Sequence, residues 1–112
     1  MPTQSGDSQP VPHELFEWDR HNIGHIAEHS VSSSEAEQVI LNDPLEFEFD
    51  AESGGEDRWT YLGETDRGRL LMVVITMRGQ KIRVVTSFEP ERRDKLTYWE
   101  TKAGLRDDDE AS

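Results

Sequence analysis

Apolar and acidic residues alternate strictly along Leu45-Glu46-Phe47-Glu48-Phe49-Asp50, the pattern of a strand with one buried and one wet face. Upstream the period is different. Leu15-Phe16-Glu17-Trp18 reads as a short β-type run, after which Asp19 can cap a helix reaching about Ser30. On that helix Ile23, Ile26 and Ala27 share a face by their spacing of three and four. Ser32 followed by Glu35 makes a capping box for a second helix to about Leu41, with Ala36, Val39 and Ile40 inward. Asn42-Asp43-Pro44 ends it. Beyond Asp50 an acidic loop from Ala51 to Asp57 leads to a second strand, Arg58–Leu62. Leu70–Ile75 is the most apolar stretch and predicts a central strand covered on both faces. Arg78-Gly79-Gln80 predicts a hairpin turn into Lys81–Thr86. Pro90 suits the first position of a final helix, expected to end near Gly104 and to dock through Leu96, Trp99 and Ala103. The order β-α-α-β-β-β-β-α implies an α+β fold: an antiparallel sheet of about four to five strands, with two N-terminal helices and a C-terminal helix on one side.

Length and composition bound this picture. The 112 residues suit one domain, expected at residues 13–104. Residues 1–12 are rich in Pro, Ser, Gly and Gln and predict a disordered tail; residues 105–112 predict an acidic one. No apolar run is long enough for a membrane span, and the N-terminus lacks a signal-peptide pattern. Cysteine is absent, which removes disulfide and thiolate chemistry and suits a cytoplasmic location.

Charge changes the picture more. The chain carries 12 Lys and Arg against 24 Asp and Glu, a net −12. Residues 1–57 hold a single basic residue, Arg20, and fourteen acids, whereas residues 58–106 hold eleven basic residues and six acids. A basic half is thus hidden inside an acidic chain, as a surface for a polyanion requires; the plainer reading is that the acids serve solubility.

Two constellations can carry chemistry. His21, His25 and His29 recur every four residues on the first helix, and with Asn22 form a polar ridge beside the apolar stripe. Imidazoles at this spacing can cap and pack, share a zinc ion, or move protons, since histidine titrates near neutrality. The second constellation is basic: Arg67, Arg69, Arg78, Lys81, Arg83, Arg92, Arg93 and Lys95. Lys81 and Arg83 alternate with Ile82 and Val84 and so face away from them. Arg92 and Arg93 fall in the first turn of the last helix, where positive charge opposes the dipole but suits a bound anion. Trp59, Tyr61, Phe88 and Tyr98 lie among these charges, where rings can stack on unpaired RNA bases; Trp18, Phe47 and Phe49 are expected in the core.

Taken in order, Phe16-Glu17-Trp18-Asp19, His21-Asn22, His25-Ile26, His29-Ser30-Val31, Glu35-Ala36-Glu37, Val39-Ile40, Leu62-Gly63-Glu64-Thr65, Gly68-Arg69-Leu70-Leu71, Thr76-Met77-Arg78-Gly79, Ile82–Ser87 and Arg92-Arg93 with Tyr98 resemble the BrnT family. These are toxins of type II toxin–antitoxin modules, similar in fold to RelE-type ribonucleases. The resemblance covers about residues 14–100. It implies a metal-independent endoribonuclease with no cofactor, cleaving RNA by 2′-OH attack and restrained by a cognate antitoxin, a small DNA-binding protein, in a toxin–antitoxin hetero-oligomer. It further implies His25 and His29 as proton-transfer groups, Arg83, Arg92 and Arg78 as phosphate stabilisers, and Tyr98 as a base contact or proton donor. Arg67, Arg69, Lys81, Arg93 and Lys95 would add RNA contacts. The chain departs from the family pattern at Glu28, where a basic residue is frequent, at Ser30, where glycine is common, and at Phe88, where an arginine is frequent. One alternative is therefore a catalytically weakened or inactive relative that acts by binding its antitoxin; another is a metal-binding protein using the three histidines.

Overall fold

The computed structural model describes residues 12–111. The expected N-terminal tail, apart from Pro12, lies outside the described residues. After a single 3-10 turn come β1 (Phe16–Glu17), α1 (Arg20–Ala27), α2 (Ser33–Leu41), β2 (Leu45–Ser53), β3 (Glu56–Glu64), β4 (Leu70–Arg78), β5 (Lys81–Phe88) and α3 (Arg92–Ala111). Both N-terminal helices start where side chains can satisfy the first free N–H groups. Asp19 and Asn22 form one capping box, and Ser32 and Glu35 the other. No described helix is long and apolar enough to cross a membrane.

The five strands form one sheet in the order β1-β5-β4-β3-β2, with β4 at its centre. Hairpins make β2, β3, β4 and β5 antiparallel, as expected. The sheet is nevertheless mixed, because β1 joins β5 in parallel, pairing Phe16 with Ile82 and Glu17 with Arg83. A two-residue strand is too short to show a period in the sequence. Its consequence is large: the chain entering α1 is held against the far end of the domain.

The strand β4 separates two cores. Leu71, Val73 and Ile75 pack with Phe16, Ile26, Ala36, Val39 and Val84 beneath α1 and α2. Leu70 and Met72 point the other way and pack with Leu62 and Tyr98, beneath α3. Helices therefore cover both faces, not one. α3 also docks in a different register from the expected one. Tyr98 is its anchor at 2% exposure, whereas Leu96 is 55% and Trp99 48% exposed and Ala103 is also outward. The sheet offers a small patch at one end, so a single large ring seats the helix where a longer apolar stripe would find no surface. Nor does the helix stop at Gly104. It runs on to Ala111, since Gly104 is not in a left-handed conformation and supplies no cap.

Three register shifts interrupt the described strands, one of them between Asp50 and Ser53 near the tip of the first hairpin. Between Glu46 and Glu48 the β2 register slips, which turns Phe49 from the Leu45 face to stand over Trp59 at 5.3 Å, where it stays 48% exposed and outside the core. The expected loop at Ala51–Asp57 is mostly extended strand, closed at Gly54-Gly55. A third slip, opposite Val74 and Ile75, leaves Val85 unpaired in β5. Helix α1 ends earlier than Ser30, in a Schellman motif: Val31 N–H donates to Ile26 O and Ser30 N–H to Ala27 O, with Ser30 at φ 62°.

Candidate active site

The parallel strand pair brings Asp19 and Arg83 together. Arg83 points to the face opposite Ile82 and Val84 and is 9% exposed. Its Nη1 donates to Asp19 Oδ2 at 3.0 Å and Nη2 to Oδ1 at 3.4 Å, with Glu17 Oε1 at 3.8 Å from Nη1. Asp19 meanwhile accepts from the backbone N–H groups of His21 and Asn22, at 2.9 and 3.1 Å. These bonds, that to Arg83 foremost, hold the Asp19 carboxyl below the ordinary aspartate value. Asn22 is buried, and its amide completes the frame: Oδ1 accepts from Asp19 N–H, and Nδ2 donates to the carbonyls of Glu17 and Val84. The start of α1 is thereby locked to β1 and β5.

Beside this frame lies a cleft of about 160 Å³ lined by His21, Asn22, Glu56, Arg58, Arg78, Arg83, Val84 and Val85. Three arginines thus share a small volume. Glu56 stands between two of them, 3.5 Å from Arg58 Nη2 and 3.5 Å from Arg78 Nε. The Arg58 Nε is buried without a hydrogen-bond partner. Lining cations outnumber the lining carboxylate three to one, so the cleft is suited to an anion with several acceptor oxygens.

The histidine ridge runs from this cleft alongside β5. His21 lines the cleft and also a neighbouring groove with Arg20, Gly24, His25 and Glu28. His25 and His29 are exposed, their rings 5.8 Å apart and T-shaped, and His29 lies 6.1 Å from the Phe88 ring. Among the described residues no three of His, Asp and Glu converge as a metal site, so the shared-zinc reading of the three histidines gains no geometry.

Of the residues singled out in the sequence, Arg78 and Arg83 line the cleft. Arg92, Arg93 and Lys95 are exposed on the first turns of α3 and do not line it, and Lys81 is exposed at the hairpin, paired with Arg78 in register. Arg69 is held elsewhere. It donates to Ser30 O at 2.9 Å, to both oxygens of Glu35 at 3.0 Å and to Glu89 at 3.2 Å, bracing α2 against the end of the sheet. Arg67 lines a separate groove on that side. Tyr98 is in the core, donating its hydroxyl to Glu64 Oε2 at 2.9 Å; burial, together with that carboxylate, pushes its pKa well above the ordinary tyrosine value. Trp59 and Tyr61 pack under α1 and α2, leaving Phe88 as the aromatic at the ridge. His21, from the histidine ridge, joins the cleft as well, and Glu56 and Arg58 join it without having been singled out. The Asp19 cap was the available signal for His21, since it sets that residue in the first turn of α1. For Glu56 and Arg58 there was none, because a hairpin register brings them to Arg78.

Curated proteins provide no match to the chain. A family model does: that of the ribonuclease toxin BrnT of type II toxin–antitoxin systems matches residues 18–94, which span both helices of the N-terminal half, strands β2 to β5 and every residue lining the cleft. With an ordered match over most of its length, the chain belongs to the BrnT family of ribonuclease toxins.

Proposed function

We propose that this protein is an endoribonuclease toxin that cuts RNA without a metal and is neutralised by a cognate antitoxin. The observation that carries the reading is the convergence of Arg58, Arg78 and Arg83 beside His21. In the reaction a base removes the proton from a ribose 2′-OH, the oxygen bonds to the adjacent phosphorus, and the bond to the 5′-oxygen breaks as that oxygen is protonated. Negative charge grows on the phosphoryl oxygens in between, where fixed guanidinium groups stabilise it most. Arg83 is positioned for this in advance by Asp19 and Glu17. His21 is the imidazole of the cleft and Glu56 its carboxylate, the two groups able to exchange protons there. His25 and His29 continue the RNA path, with Arg92, Arg93 and Lys95 as outlying backbone contacts. The acidic N-terminal half offers a basic antitoxin a complementary surface.

A second reading is a binding module without catalysis. It is favoured by the acid partners of the cleft cations, Asp19 and Glu17 on Arg83 and Glu56 on the other two, which weaken their hold on phosphate. The deciding experiment uses protein freed of antitoxin and total RNA in magnesium-free buffer with chelator. Cleavage lost in Arg83→Ala and His21→Ala supports the enzyme and its site. Intact RNA with the wild-type protein, alongside tight antitoxin binding, supports the module.

A further inference from the structure

Resting on the ribonuclease reading, we infer that the groove lined by His21, His25 and Glu28 beside the cleft, with His29 next along the ridge, is a nucleobase subsite that selects guanine. The two hollows differ in charge. The cleft carries three arginines against one glutamate, whereas the groove carries Arg20 against Glu28 and so has no net attraction for a phosphate. What it offers instead is the exposed imidazole of His25, with that of His29 edge-on beyond it. His25 and His29 stand one helical turn apart, their rings 5.8 Å from each other, and Phe88 extends the surface beyond His29. Four residues of helix rise about 6 Å, so each step along the ridge is one ring further from the cleft. His21, which lines both hollows, makes them continuous, and a single strand whose phosphate occupies the cleft can lay a neighbouring base on the ridge.

Glu28 supplies the selectivity. Its carboxylate is exposed at the groove wall and accepts hydrogen bonds without being able to donate them. The Watson–Crick edge of guanine presents two parallel donors, N1–H and N2–H, which match a carboxylate in bidentate fashion. Adenine and cytosine each place an acceptor nitrogen beside their amino group, which a carboxylate repels, and uracil presents one donor flanked by carbonyls. Guanine is the base this wall fits.

The test is binding of 2′-O-methyl hexanucleotides, which cannot undergo 2′-OH attack, to the full-length protein by fluorescence anisotropy. Strands differing in one base are compared. We expect the guanine strand to bind about tenfold tighter than those with adenine, cytosine or uracil, and an inosine strand, lacking N2–H, to fall between. Glu28→Gln should erase the guanine preference while adenine-strand binding persists; His29→Ala should weaken all strands several-fold and keep the preference. Both residues are exposed, so neither substitution threatens the fold. Equal affinity for all four bases, or a preference surviving Glu28→Gln, overturns the subsite and leaves the ribonuclease reading standing. Failure of every strand to bind overturns both.

Discussion

Asp19 and Arg83 lie 64 positions apart and meet at 3.0 Å, while the same aspartate caps α1. One side chain therefore does two separable things. Asparagine caps a helix as well as aspartate but carries no charge to hold a guanidinium. Asp19→Asn should lower RNA cleavage and lose only the modest stability that the half-exposed charge adds; Asp19→Ala should lose about 1 kcal/mol more. Melting curves and RNA integrity measured on both variants separate the roles. Equal loss of activity and stability in Asp19→Asn would show that the charge, not the cap, holds the fold.

Acid should expose the same bond. Hydrogen bonds from Arg83 hold Asp19 below its ordinary value of 3.8, and bonds from Ser32 and Arg69 hold Glu35 below 4.5. A carboxyl whose folded value is lowered adds stability that is complete above the unfolded value and is lost as pH falls through the folded one. Urea midpoints should therefore drop below about pH 4, and the double variant Asp19→Asn, Glu35→Gln should show a shallower drop.

Ser30 sits at φ 62° in the left-handed position that ends α1. A side chain at that geometry costs roughly 1 kcal/mol relative to glycine. Ser30→Gly should raise stability by about that amount, measured by chemical denaturation. Its carbonyl still accepts from Arg69, so the brace to β4 is retained.

Arg69 and Arg78 look equivalent in a list of basic residues, yet their surroundings are not. Arg69 is fastened to Ser30, Glu35 and Glu89; Arg78 is half-exposed at the cleft. Arg69→Ala should cost about 2 kcal/mol, as for lost charge-assisted bonds, and Arg78→Ala well under 1. In RNA binding the order should reverse, with Arg78→Ala the weaker binder in a filter or anisotropy assay.

The elements with sustained periods were legible: the caps at Asp19 and Ser32, the apolar run at Leu70–Ile75 and the order of strands all stand in the structure. What escaped depends on tertiary register. A bulge moved Phe49 to the other face of its strand, and a two-residue parallel strand was invisible to periodicity. The last helix could not be oriented from its own pattern, since Tyr98 competes with Leu96 and Trp99 for one small patch of sheet. In the candidate site Arg83 and Arg78 were readable as an outward charge and a turn residue. Glu56 and Arg58 were not, because only strand pairing carries them there.

The pairing of β1 with β5 also has a meaning in time. A growing chain emerges from the ribosome with Asp19 and His21 long before Arg83, and contacts this distant in sequence form late. Until β5 is released and closes on β1 there is no cleft. The complete set of cleft residues is therefore assembled only once synthesis has passed β5.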